Sequence, residues 1–258
     1  MKIIVSRDNP TFKSLRALAG DARRQRSERR TLIEGPHLLA AALDHGLVPD
    51  LVAVSEAASA NPEVLTLLTR AGKVETLCLR DALFNEISEL ATPAGILARI
   101  AIPAEPEDLP VGDCLLLDAV QDAGNVGTLL RTAAAAGVRD VLLGTGCAGA
   151  WTLRVLRAAQ GAHFGLILRE QVDLAGFLKR YAGTSIATVA HEGVALYELD
   201  FAQPTAWLFG NEGGGIAPEL VTLTTVRATI PLAAGSESLN VAAAAAVCLF
   251  EMRRQRRM

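Results

Sequence analysis

Along residues 31–100, short apolar runs alternate with longer segments whose apolar positions recur every three or four residues. TLIEG (31–35), LVAVSE (51–56), VETLCL (74–79) and GILARI (95–100) have strand length, whereas LLAAALDHG (38–46), PEVLTLLTRAG (62–72) and DALFNEISEL (81–90) carry the helical period. A second series begins at residue 114. It predicts strands at CLLLDAV, VRDVLLG, FGLIL, SIATVA, AWLFG and ATIPL, and helices at NVGTLLRTAAAAG, LRVLRAAQG and DLAGFLKRYAG. A last helix runs from about Leu239 to Arg256. Strand-length runs alternating with helical ones are the pattern of an α/β fold. Between the series, AIPAEPEDLPVGD (101–113) holds Pro103, Pro106, Pro110 and four acids, a composition that suits an exposed linker. The pattern therefore predicts domains at 1–100 and 114–258, with no internal repeat.

Composition narrows this picture. The 258 residues are 50% apolar, enough for two modest cores. The start, MKIIVSRDNP, has no apolar h-region, and VAAAAAVCLF (241–250) is far short of the roughly 20 residues that span a bilayer. A cytoplasmic protein is expected. Cysteines 78, 114, 147 and 248 form no C-x-x-C, and histidines 37, 45, 163 and 191 show no paired-ligand spacing, so reduced thiols and no metal are expected.

The net charge of −3 hides an asymmetry. Residues 1–30 carry +6 and the last eight, EMRRQRRM, carry +3, which leaves residues 31–250 at −12. Positive charge at both ends, with ARRQRSERR at 22–30, suggests a polyanion footprint, and Arg23, Arg24, Arg26 and Arg29 are its candidate contacts. A solvated helix face plus a frayed basic tail explains the same run without a partner.

GTGCAG (144–149) has the spacing of a dinucleotide-binding loop, with Glu170 about where such a fingerprint wants its ribose-binding acid. The helix after it opens near Trp151, too late for its N–H groups to meet a pyrophosphate held by the glycines. No hydride-transfer acid or base accompanies it, which argues against a nicotinamide dehydrogenase.

Three later segments carry more chemistry. In DAVQDAGNVGTLLRTAAAAG a strand empties into a polar turn and a helix starts near Asn125, placing free N–H groups where an anion binds. Arg131, among Leu129, Leu130, Ala133 and Ala134, either snorkels or has a partner for its head. In AWLFGNEGGGI a strand stops at Gly210, Asn211 and Glu212 before three glycines, either a ligand approach or a tight turn with Glu212 near the next helix. In IPLAAGSESLNVAAAAAV, Ser238 and Asn240 lie where the last helix begins, and Ser238 as a plain N-cap is the simple explanation.

In this order and spacing, the three segments resemble the motifs of the SpoU branch of the SPOUT superfamily, knotted S-adenosylmethionine-dependent RNA 2′-O-ribose methyltransferases. The resemblance covers the whole second half. The first half, through SRDNPTFKSLRALAGDARRQR and LIEGPHLLAAAL, more loosely resembles the small α/β, ribosomal-protein-like RNA-binding domain often fused to such enzymes. The resemblance implies a parallel sheet with a deep trefoil knot and a cofactor pocket at Gly210, Ile230, Leu232, Leu239, Ala190 and Leu208. It also implies a homodimer with the last helix and the first-motif helix in the interface. Arg131 is implied as the group beside the ribose hydroxyl and phosphate, either as the base that the family assigns to this arginine or as a cation that orients the phosphate and stabilises the developing alkoxide, with Asn125, Glu212, Ser238 and Asn240 holding it, the hydroxyl or the cofactor loops. Segment 144–164 corresponds to the family's connecting loop, and its Arg157 is a further candidate RNA contact. The loop departs from the family at Gly149, Ala150 and Leu153, where proline and acids are usual. Ribosomal RNA is favoured over transfer RNA because of the added N-terminal domain; a non-catalytic RNA-binding protein of the same fold is the rival reading.

Overall fold

Burial of every residue of the runs at 51–55 and 206–209 marks the centres of two separate sheets, one in each of two units. The computed structural model describes residues 1–256. One unit comprises Met1–Ala104 and Trp151–Phe164; the other comprises Glu105–Ala150 and the chain from Gly165 onward.

The first unit contains β1 (Lys2–Ile4), α1 (Pro10–Gly20), α2 (Ala22–Glu28), β2 (Arg30–Glu34), α3 (Pro36–Asp44), β3 (Leu51–Ser55), α4 (Pro62–Ala71), β4 (Glu75–Leu79), α5 (Asp81–Ile87) and β5 (Ile96–Ala101). Its mixed sheet runs β1-β4-β3-β5-β2, with β5 antiparallel to both neighbours. Helix α1 starts where Asn9 Oδ1 accepts the N–H groups of Thr11 and Phe12, with Pro10 at its first position. Phe12, Leu15, Leu18 and Ala19 then recur at helical spacing and bury one face against Leu32, Leu51, Leu77 and Phe84. Gln25 of α2 is buried and donates to the Leu18 carbonyl at 2.9 Å. Arg29, in the left-handed region at φ 51°, ends α2, and β5 continues to Ala101, with the N–H of buried Ile102 bonded to the Arg29 carbonyl.

The second unit is built on β6 (Cys114–Leu117), α6 (Ala123–Ala136) and β7 (Asp140–Gly144). The chain then forms α7 (Leu153–Ala159), which the sequence pattern puts in the second domain. Instead, α7 packs in the first unit: Leu153 joins that core, and the Thr31 hydroxyl donates to the Trp151 carbonyl at 2.6 Å. The second unit resumes with β8 (Ile167–Val172), α8 (Leu174–Leu178), β9 (Thr184–Thr188), β10 (Val194–Ala195), β11 (Thr205–Phe209), α9 (Pro218–Leu223), β12 (Val226–Thr229) and α10 (Val241–Arg256). Its seven strands, ordered β10-β12-β9-β11-β6-β7-β8, are all parallel. Strands covered on both faces need no polar side, which is why β6 and β11 read as unbroken apolar runs.

Several predicted elements shift. FGLIL is split: Ala162–Gly165 is a 3₁₀ turn, and β8 starts at Ile167 and extends to Val172. The helix expected over DLAGFLKRYAG keeps five residues, and β12 ends before Ile230 and Pro231. Helix α10 is capped by Asn240, whose Oδ1 accepts the N–H groups of Ala242 and Ala243; Ser238 is not the cap. The basic end is no frayed tail as far as Arg256. The guanidinium of Arg256 donates to the carbonyls of Phe201 and Gln203 and pairs with Asp113, while Arg253 donates to the Ala136 carbonyl at 2.9 Å.

Candidate active site

In the second sheet, β6 is followed by β7 and β8 on one side, whereas β11, β9, β12 and β10 extend from its other side. Open parallel sheets bind ligands outside the carboxyl ends of their strands where the order reverses in this way. At the carboxyl ends of the strands on the β11 side of this point, the residues following β9, β11 and β12 enclose a cavity of about 460 Å³, within the roughly 300–1,000 Å³ of small-molecule sites. Its walls are largely apolar, from Ile216, Ile230, Leu232, Leu239 and Val241; Glu212, Ser238 and Asn240 add polar groups.

The loop after β11 is held at both ends. A Cβ on Gly210 would lie 2.3 Å from the backbone of Gly215, so no other residue fits without moving the loop. Asn211 and Gly215 exchange both backbone hydrogen bonds at 2.9 Å. The Asn211 side chain accepts the N–H groups of Gly213 and Gly214 and donates to the Ala119 carbonyl, while Asp118 accepts the Ala217 N–H at 2.8 Å. Asp118 and Ala119 thus anchor the loop from the turn after β6. Sequence reasoning assigned no role to Asp118 or Asn211; the available signals were a carboxylate ending the apolar run 114–117 and an amide beside a glycine run.

Glu212, Asn125 and Asn240 form one hydrogen-bonded chain, and its direction is fixed. Asn240 Oδ1 is committed to the α10 N–H groups, so its Nδ2 donates to Asn125 Oδ1 at 3.0 Å. Asn125 Nδ2 must then donate to the Glu212 carboxylate. Each amide donates in the direction of Glu212, which fixes the orientation of its carboxylate at the cavity. Asn125 itself is placed by Asp122, the true N-cap of α6, whose Oδ1 accepts the Asn125 N–H at 2.7 Å; the helix opens at Ala123.

The other sequence-selected residues divide. Gly210, Ile230, Leu232, Leu239 and Ala190 line the cavity, as do Glu212, Ser238 and Asn240. Leu208 does not: its side chain is fully buried in the sheet core, and only its carbonyl serves the region, accepting the Thr188 hydroxyl at 2.9 Å. Arg131 is exposed on α6 and off the cavity wall. Val126, Leu129, Leu130 and Ala133 take the buried face, so the arginine needs no internal partner. Burial pushes the Cys147 thiol of the GTGCAG loop up to about 11, which keeps it a neutral thiol near neutral pH and a poor nucleophile.

In the first unit, Arg23 is exposed, Arg24 pairs with Glu28 one turn away, and Arg29 donates to the Pro103 carbonyl. Arg26 is half-buried. Arg157 projects from α7 at the wall of a second, smaller cavity. Among the described residues, no group of three His, Cys, Asp or Glu side chains is placed to hold a metal, and no helix is long and apolar enough to cross a membrane.

Comparison with known proteins agrees with both halves. Residues 114–250 match the SpoU rRNA Methylase family, and residues 9–98 match the MRM3-like substrate binding domain. The chain is 34% identical to the 23S rRNA (guanosine(2553)-2′-O)-methyltransferase RlmP of Bacillus subtilis, over 98% of this chain and 100% of that one. It is 28% identical to the 23S rRNA (uridine(2479)-2′-O)-methyltransferase of Streptomyces viridochromogenes, over 96% and 91%. The crystal structure of the SpoU methyltransferase AviRb from Streptomyces viridochromogenes in complex with AdoMet superimposes with a TM-score of 0.87 at 26% identity, covering 96% of this chain and 98% of that one. With the parallel sheet, the glycine-framed cavity and the Glu212–Asn125–Asn240 chain in place, the protein belongs to the SpoU family of S-adenosylmethionine-dependent RNA 2′-O-ribose methyltransferases.

Proposed function

We propose that this enzyme methylates a ribose 2′-hydroxyl of ribosomal RNA, with the first unit, Met1–Ala104 and Trp151–Phe164, docking the RNA and the second unit performing the transfer. The observation that carries the reading is the one-directional chain from α10 through Asn240 and Asn125 to Glu212, which ends at a cavity of cofactor size. The residues present fit S-adenosylmethionine: apolar walls suit an adenine ring, and the Gly210 backbone permits close approach. Gly210, Ala190, Ile230, Leu232 and Leu239 would hold it. When bound, it supplies a methyl group on a positively charged sulfur.

The chain's own task is alignment and charge control. A ribose hydroxyl is a weak nucleophile and must lose its proton near the transition state. Arg131, through its guanidinium, orients an RNA phosphate and stabilises the developing alkoxide. Glu212, Asn125, Ser238 and Asn240 hold the loops that border the reacting groups. The fold closes through a deep trefoil knot around the cofactor, the enzyme is a homodimer, and it works in the cytoplasm. Arg23, Arg24, Arg26, Arg29 and Arg157 meet RNA phosphates.

The test is methyl transfer from labelled S-adenosylmethionine to ribosomal RNA by the purified protein, with 2′-O-methyl mapping in RNA from cells with and without it. A site that disappears with the gene supports the reading. Labelling of transfer RNA alone would move the substrate to that class, and binding without transfer would return the protein to the non-catalytic reading.

A further inference from the structure

The first unit has a cavity of its own, about 90 Å³, lined by Glu34, His37, Leu38, Leu90, Leu153, Arg157 and Gln160. Glu34 ends β2 and is more than half buried there. Desolvation pushes its carboxyl above the usual range, although the Ser88 hydroxyl, the Glu89 N–H and the positive charge of Arg157 all act to hold it down. A carboxylate has about four lone-pair sites, and these two hydrogen bonds leave acceptor capacity unused. Leu38, Leu90 and Leu153 supply apolar wall beside it, and Arg157 supplies an exposed cation at its rim.

A ligand that fits must be flat and partly apolar, must offer hydrogen-bond donors to a carboxylate, and must carry an anion for the guanidinium. A small anion is excluded by Glu34. The volume is too small for a whole nucleoside but takes the edge of a base. Guanine alone among the four RNA bases offers two adjacent donors, N1–H and the N2 amino group, to a pair of carboxylate oxygens. Unstacked bases of single-stranded RNA expose this edge.

We propose that this cavity is a guanine-edge pocket, in which Glu34 accepts the N1–H and N2 amino protons of an unpaired guanine while Arg157 meets an adjoining phosphate. The pocket lies outside the methyl-transfer site and rests on the reading that RNA is the substrate. It gives the docking domain a preference for one base, independent of the nucleotide that is methylated. Glu34 is a specificity residue, with Ser88 and Glu89 holding its carboxylate in place.

The probes are four uridine heptamers, with guanosine, inosine, adenosine or uridine at the centre, tested by fluorescence anisotropy on the full chain. Inosine keeps N1–H and lacks the N2 amino group. The wild type is expected to bind the guanosine probe at least about fivefold more tightly than the adenosine or uridine probe, with inosine between them, since a bidentate base contact discriminates on this scale. Glu34→Gln retains an acceptor for Ser88 but replaces one of the two acceptors with a donor, so guanosine and inosine should become equal. Arg157→Ala should weaken all four probes alike and shallow the log–log salt slope by about 0.7. Melting temperature and S-adenosylmethionine affinity of both variants serve as fold controls. A wild type with no guanosine preference, or a preference that survives in Glu34→Gln, overturns the pocket. Methyl transfer to ribosomal RNA, measured on the same preparations, separates the two readings: transfer intact with no base preference sinks the pocket alone, whereas absence of both RNA binding and transfer sinks the proposed function with it.

Discussion

At the scale of single residues, Arg131 and Asn125 make separable predictions. Arg131 is exposed and off the cavity wall, so Arg131→Ala should leave S-adenosylmethionine affinity unchanged in calorimetry. Methyl transfer should fall by about 10²-fold or more, the scale of losing one stabilising donor to a developing anion. Equal loss of cofactor affinity would place the guanidinium in the cofactor pocket instead. Asn125 is hydrogen-bonded to both Glu212 and Asn240, and the prediction for it concerns a role exerted through them. Asn125→Asp sets two carboxylates against each other, which raises the pKa of one of them. Its transfer rate should therefore be lower than that of Asn125→Ala near neutral pH and recover as pH falls and the pair takes up a shared proton. A pH–rate profile with no such recovery would show that Asn125 does not work through Glu212. Asn125, Glu212 and Asn240 were each legible in the sequence as polar residues in small-residue turns. Their union was not, because spacing within a motif carries no information about which loops meet. Leu208 misled for a related reason: it borders the glycine motif, but alternation along β11 turns its side chain into the sheet core.

At the scale of elements, the two basic ends behave differently. The end of α10 is committed to its own unit: Arg256 reaches two carbonyls and Asp113, and Gln255 reaches the Leu199 carbonyl. Arg256→Ala should cost about 1–3 kcal/mol, read as a lower melting temperature, with RNA affinity unchanged. A drop in RNA affinity at unchanged stability would restore the tail as a docking surface. On α2, Arg24 and Arg29 are already engaged with Glu28 and the Pro103 carbonyl, while Arg23 is exposed. Neutralising Arg23, Arg24, Arg26 and Arg29 together should shallow the log–log salt slope of RNA binding by at most about 2.8, and Arg23→Ala alone by about 0.7. Unchanged affinity and slope in the quadruple variant would make α2 a solvated helix face. The strands of the second sheet were readable because double-sided burial leaves continuous apolar runs, whereas two-residue β10 and six-residue α9 are too short to set a period. Helix α7 was readable as a helix but not as part of the first unit, since periodicity reports that a face is buried and not which core receives it.

At the scale of the whole molecule, the remaining question is what covers α10 and α6. On α10, Ala242, Ala245, Cys248, Leu249 and Met252 face the protein's own core. The opposite side carries Ala243, Ala246, Val247 and Phe250, and Phe250 is 47% exposed. On α6, Thr128, Arg131 and Ala135 follow one another at i, i+3 and i+7 along the exposed side. A half-exposed aromatic ring beside small residues forgoes apolar burial on the order of 1 kcal/mol, and small residues let a second helix approach closely. A symmetric pair uses such a self-complementary patch twice, so a single substitution is felt at two places in the interface. The wild-type protein is therefore expected to scatter light at twice its 27.2 kDa chain mass at micromolar concentration, and Phe250→Asp to scatter at the chain mass. If the RNA site borrows from both subunits, the Phe250→Asp monomer should lose methyl transfer, with its far-ultraviolet circular dichroism unchanged. An active wild-type sample that scatters at the single-chain mass would refute the dimer. A Phe250→Asp variant that stays dimeric would place the interface on another face, and one that becomes monomeric yet fully active would show that each chain completes its own site.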